Sequence, residues 1–220
     1  MDAGVSTGDE GMMDLSGDAR TLWDAAVALA RAAAPVSPRP LPPLLFFTDP
    51  VRTPEPWRTA ERLPEGAAVV FRGFGREDAP ETAWLLREAT EARGVRLLIG
   101  DDAALAEEVA ADGVHLPARR RQEATRLKAA RPDWIVTAAV HQAHDGTSLE
   151  GLDALIASPI FPTASASARP LIGLEGLSST VALGLPVYAL GGVSPDTVRN
   201  LLGSGACGFA GIEAIQRAFG

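Results

Sequence analysis

The 220-residue chain predicts an α/β fold, a (β/α)8 TIM barrel with an extra N-terminal helix. Three observations carry that expectation. Eight short apolar runs recur between Leu44 and Ala210, and helical or polar segments separate them. The runs are almost continuously hydrophobic rather than alternating, as strands buried on both faces of a parallel sheet must be. Eight such units favour a closed barrel over an open doubly wound sheet. No GxGxxG follows the first run, so a dinucleotide-binding sheet lacks its fingerprint.

In order, residues 1–18 are acidic, glycine-rich and poor in apolar side chains, and read as disordered. Residues 19–43 form the next unit, an N-terminal helix and a Pro-rich linker. Asp18 can cap a helix over 19–34 that carries Leu22, Trp23, Ala26, Leu29 and Ala30 on one face. Pro35 ends it, and five prolines between Pro35 and Pro43 make an extended linker. The barrel proper is expected over 44–220. Its strands are expected at 44–48, 67–71, 96–99, 113–116, 134–139, 155–158, 187–190 and 207–210. Helices are expected at 53–62, 80–93, 102–110, after 116 to about 130, at 178–183 and at 194–202. Residues 142–151 leave room only for a stunted helix, and 159–170 form a Pro/Ser/Ala-rich loop. The N-terminal helix is placed to cover the barrel bottom or the edge beside a short last helix.

Charge and composition narrow the function. The formal charge of -8 argues against nucleic-acid binding, which requires a basic face. The Arg119-Arg120-Arg121 run reads as a solvated surface. No apolar stretch is long enough to span a membrane, and no basic n-region precedes an apolar one, so neither a membrane span nor a signal peptide is expected. The lone Cys207 permits no internal disulfide and fits a cytoplasmic location. A homo-oligomer is compatible with the sequence.

The seventh run ends in Gly191-Gly192 and the eighth in Gly211. Glycines after these two barrel strands let backbone N–H groups approach a phosphate. The expected partner is therefore a phosphorylated small molecule, held at Gly191, Gly192 and Gly211. Residues just past other strand ends face the same mouth. Arg72, with its planar fork, and Thr163 and Ser165 are further phosphate ligands. His141 can relay protons near neutral pH. Asp101 and Asp102 can hold Mg²⁺, with Asp112 from the next crossover as a second ligand, although one of the two adjacent aspartates is also a good helix cap. No clustered Cys/His spacing supports zinc, and no GxSxG or Cys/His pattern supports an acyl-enzyme.

Five blocks occur in order: Ile99-Gly-Asp-Asp-Ala, Ala111-Asp-Gly-Val-His-Leu116, Ser158-Pro-Ile-Phe-Pro-Thr163, Gly173-Leu-Glu-Gly-Leu177 and Pro186-Val-Tyr-Ala-Leu-Gly-Gly192. Together they resemble the thiamine phosphate synthase/TenI superfamily over about 44–215. The synthases join a pyrimidine diphosphate to a thiazole phosphate with Mg²⁺, which the resemblance places at Asp101 and Asp112. Their Gln-Phe-Arg-Glu-Lys motif reads Val70-Phe71-Arg72-Gly73-Phe74 here, so the arginine is kept while the glutamine and lysine are lost. Their Ser-Ala-His reads Ala139-Val140-His141, and the lysine of Pro-Thr-x-Thr-Lys is Ala166. A departing diphosphate needs cations aimed at it, and this chain lacks two of them. The TenI branch includes thiazole phosphate tautomerases, which need only an acid/base and a phosphate anchor. The resemblance therefore implies TenI-like proton transfer by His141, with no cofactor. The alternatives are a Mg²⁺-dependent, diphosphate-releasing synthase and a protein that binds thiazole or thiamine phosphate without turnover.

Overall fold

The computed structural model describes residues 15–37, 39–141, 148–163 and 170–220. Eight parallel strands close into a barrel in sequence order, each paired with the next and the last with the first. They are β1 (Leu44–Phe47), β2 (Ala68–Phe71), β3 (Arg96–Gly100), β4 (Gly113–Leu116), β5 (Ile135–Val140), β6 (Ala154–Ala157), β7 (Val187–Leu190) and β8 (Gly208–Gly211). Strand pairing closes with Leu45 beside both Ala68 and Ala210. Around the barrel lie α1 (Gly17–Ala33), α2 (Pro56–Ala60), α3 (Ala79–Ala92), α4 (Ala103–Glu108), α5 (Ala124–Ala130), α6 (Gly173–Val181) and α7 (Glu213–Phe219).

The strands are apolar on both faces because each face has its own core. Leu45, Phe47, Val70, Leu98, Ile156 and Tyr188 pack together in the barrel interior. Leu44, Phe46, Val69, Leu97, Val136 and Leu155 pack with the helices in the outer layer. Side chains alternate along a strand. Continuing the alternation one step past the interior residues brings Arg72, Gly100, His115, His141 and Ser158 to the C-terminal mouth.

The N-terminal helix begins earlier than the sequence suggests. Ser16, not Asp18, is the cap, and its hydroxyl accepts from the Ala19 N–H at 3.2 Å. Gly17 and Asp18 are therefore helical. The helix buries Leu22, Ala26 and Leu29 in the outer core, and it packs against β8, α7 and β1. It covers the outer wall where β1 and β8 meet, while the linker runs under the barrel. There the Tyr188 hydroxyl donates to the Pro42 carbonyl at 2.6 Å. Residues 1–14 lie outside the described residues. Their deletion is expected to leave the melting temperature nearly unchanged, because they offer little apolar surface to bury. Deleting 1–18 should lower it by a few degrees, since the cap alone contributes about 1 kcal/mol.

Arg39 of the linker is tied into the barrel floor. It and Lys128 reach the Asp153 carboxylate at 3.0 and 2.8 Å, and the Val136 N–H donates to the same group at 2.7 Å. Asp153 is buried. Asp153→Ala removes the shared counter-charge and orphans a buried N–H. With both cations partly hydrated, the expected loss in urea unfolding is about 2 kcal/mol.

No helix among the described residues is long and apolar enough to cross a membrane.

Candidate active site

A cavity of about 480 Å³ opens at the C-terminal mouth over β6, β7 and β8. Gly191, Gly192, Gly211, Arg72 and Thr163 all line it, so the structure brings together five of the residues expected to hold phosphate. Ser165, the sixth, lies outside the described residues. Gly191 and Gly192 both have positive φ, 101° and 65°. A side chain on Gly192 would run into the Pro162 carbonyl oxygen and come within 2.7 Å of the Phe161 Cβ. Glycine here lets the 158–162 segment fold onto the β7 turn, with the Phe161 N–H donating to the Gly191 carbonyl at 2.9 Å. Gly211 is different. Its φ is not positive, and only the Ile215 side chain would approach an added Cβ, at 3.2 Å.

Arg72 enters the cavity from β2. Its Nε donates to the Thr48 carbonyl at 2.7 Å, and its backbone N–H donates to the Thr48 hydroxyl at 2.9 Å. Its Nη2 is buried and has no hydrogen-bond partner among the described residues. The nearest carboxylate oxygen, on Asp49, stands 3.6 Å away, and Asp49 is already paired with Arg52 at 2.9 Å. Burial pushes the Arg72 guanidinium down to about 10; Asp49 opposes this and Arg52 adds to it. It remains charged at neutral pH. Gly100 makes space for it, since a Cβ there would meet the Arg72 Cγ at 3.2 Å.

His141 stands beside the cavity wall. Its Nδ1 lies 3.1 Å from the Ser158 carbonyl oxygen and 3.4 Å from the Ser158 hydroxyl. A carbonyl can only accept, so in the neutral ring Nδ1 carries the hydrogen and Nε2 the lone pair. His115, one strand away, is buried in the barrel top. Its Nδ1 is 3.0 Å from the Thr137 hydroxyl, and its ring meets Phe47 edge-on at 5.0 Å. Burial, then the nearby Arg72 and His141, hold it down at about 3 against an ordinary 6.5. The folded state thus keeps His115 neutral where the unfolded chain would protonate it. The unfolded state binds the extra proton between about pH 6.5 and 3, so stability falls as pH drops through that window. His115→Gln should flatten this dependence by an amount on the order of a few kcal/mol, read from urea melts at pH 7 and pH 4.5.

The two carboxylates expected to share Mg²⁺ are not brought together. Asp101 ends β3 at the mouth, whereas Asp112 precedes β4 and so lies at the opposite end of the barrel. Asp112 accepts from the Leu97 N–H at 2.8 Å and pairs with Arg87 and Arg96 at 3.0 and 3.2 Å. Both Asp101 oxygens are also occupied: Arg120 reaches Oδ1 at 2.7 Å and Arg119 reaches Oδ2 at 2.8 Å. A dication at Asp101 would have to displace two guanidiniums and then sit beside them. Among the described residues no group of three or more His, Cys, Asp or Glu could hold a metal ion. The residues present do not fit Mg²⁺ at this pair. Asp102 is the helix cap, accepting from the Leu105 N–H at 2.9 Å.

The arginine run is not the uniformly solvated surface expected. A 3-10 turn over Ala118–Glu123 replaces the start of a helix and sends successive residues to different faces. Arg119 and Arg120 hold Asp101, and Arg121 is buried. Sequence reasoning also missed Arg52, Arg217, Ser194 and Thr197 in the cavity wall. Arg52, Ser194 and Thr197 sit in the loops after β1 and β7 and Arg217 in the helix after β8, and those positions were the available signal.

The family model described as thiamine monophosphate synthase matches residues 57–215. Thiamine-phosphate synthase of Pyrococcus furiosus is 31% identical over 182 residues, covering 80% of this chain and 87% of that protein. Its counterpart in Pyrococcus horikoshii is 31% identical over 180 residues, covering 79% and 86%. Among solved structures, the thiamine phosphate pyrophosphorylase from Pyrococcus furiosus matches with a TM-score of 0.66 at 28% identity, covering 80% of this chain and 91% of that one. A closed barrel with glycine turns at the β7 and β8 ends, matched by sequence over most of its length, places the chain in the thiamine phosphate synthase/TenI superfamily.

Proposed function

We propose that the chain is an enzyme of thiamine biosynthesis that binds a thiazole phosphate and moves a proton on its ring, in the manner of a TenI-type tautomerase. The observation that carries the binding half is the buried Arg72 Nη2, without a hydrogen-bond partner among the described residues, in the wall of a cavity built on Gly191-Gly192. A buried cationic donor of that kind calls for an anionic acceptor. The phosphate then rests on the glycine turns and Arg72, and Thr163 adds a hydroxyl. The small ring extends towards His141. Ser158 fixes the imidazole so that Nε2 takes a proton from one ring atom and returns it to another. No group is gained or lost, and no metal is needed. The ligand is a small molecule, in keeping with the acidic charge and the absence of a membrane-spanning helix among the described residues.

The second reading is a thiamine phosphate synthase, and the names of the relatives favour it. Against it stand the separated aspartates and the guanidiniums on Asp101. Titration of ¹⁵N-labelled protein with the thiazole phosphate tests the binding half. The Gly191 and Gly192 amide signals are expected to shift in a saturable way. Shifts confined to another part of the mouth would remove the basis of this reading.

A further inference from the structure

We infer that Phe74 is a positioning residue, the roof of an aromatic sandwich that aims Arg72 into the cavity. The inference rests on the assignment of Arg72 to the phosphate. The Arg72 Cζ lies 5.6 Å from the Phe47 ring centre and 5.2 Å from the Phe74 ring centre. Phe47 is buried and forms a fixed floor, whereas Phe74 is 66% exposed. A large apolar side chain in water gains little by packing there. It also adopts a left-handed backbone, with φ of 49°, which disfavours every residue except glycine. Both features act against stability, and the contact with Arg72 is what they maintain.

The neighbours show what the roof prevents. Asp49 Oδ2 waits 3.6 Å from the Arg72 Nη2, and a guanidinium free to swing could close that gap. Gly73 keeps the connection tight, since a Cβ there would approach the Ala79 Cβ at 2.8 Å. An aromatic face attracts a cation while offering no hydrogen bond, so it holds the plane of Arg72 and leaves its edge for an anion. At this position the synthase motif has a lysine. Here the second cation is replaced by a ring that orients the first.

The test uses inorganic phosphate as the probe, with affinity read by calorimetry on the full chain. Phe74→Gly relieves the left-handed strain, so it should hold or raise the melting temperature. It should nonetheless weaken phosphate binding about fivefold. Phe74→Tyr keeps the ring and should bind as the parent does. Phe74→Gly binding like the parent, or Phe74→Tyr losing as much as Phe74→Gly, would overturn the inference. Arg72→Gln separates the two levels. If it weakens binding while Phe74→Gly does not, only the role of Phe74 fails. If Arg72→Gln leaves binding unchanged, the assignment of Arg72 to phosphate fails with it.

Discussion

His141→Ala is expected to lower the rate of thiazole phosphate tautomer conversion by about 10²–10⁴, the usual contribution of a general acid/base. Affinity for the thiazole phosphate should change little, because the glycine turns and Arg72 hold the other end of the ligand. The two effects separate because His141 meets the described chain through Ser158, at the wall rather than in the phosphate cradle. His141→Gln should show nearly the same loss, since an amide can hydrogen-bond but cannot exchange a proton near neutral pH. Steady-state rates and ligand titrations on both variants check this. A fully active His141→Ala protein would reduce His141 to a hydrogen-bonded residue at a strand end.

Gly192→Ala is expected to have the largest effect on the cavity itself. The φ of 65° costs an alanine about 1–2 kcal/mol. The methyl group also collides with backbone at Phe161 and Pro162, which a rotamer change cannot relieve. Together these should destabilise the fold by roughly 3 kcal/mol, with at least about a tenfold loss of phosphate affinity as the 158–162 segment is pushed away. Gly211→Ala is the internal comparison. It has no positive φ and meets only the end of Ile215, so it should cost less than about 1 kcal/mol. Urea unfolding and phosphate calorimetry on the two variants would reveal whether the sequence pattern overstated one glycine.

The barrel was legible because strands buried on both faces cannot hide their apolar runs. The ends of six of them moved by a residue, while β4 and β7 kept the expected bounds, since ladder hydrogen bonds set strand ends rather than hydrophobicity. The helix expected after β7 failed for a local reason. The Thr197 hydroxyl donates to the Gly192 carbonyl and accepts from the Ser194 N–H, and only a 3-10 turn over Val198–Leu201 follows. Helix α6 starts earlier than expected, at Gly173, because Leu177 has an outer-core site to fill and overrides two glycines of low propensity. At the mouth, strand polarity was enough to place Arg72, Thr163, Gly191, Gly192 and His141. The same polarity argues against an Asp101–Asp112 pair, since one follows a strand and the other precedes one. The Arg119 and Arg120 clamp on Asp101, and the ring over Arg72, depend on turn geometry that no pattern in the sequence encodes.

The most direct test measures turnover in a chelator. The chain is incubated with the thiazole phosphate tautomer in EDTA, and in parallel with the pyrimidine diphosphate and thiazole phosphate pair, with and without Mg²⁺. Tautomer conversion in EDTA, lost in His141→Ala, is the predicted result. Diphosphate release from the paired substrates only when Mg²⁺ is present, without tautomer conversion, would contradict it.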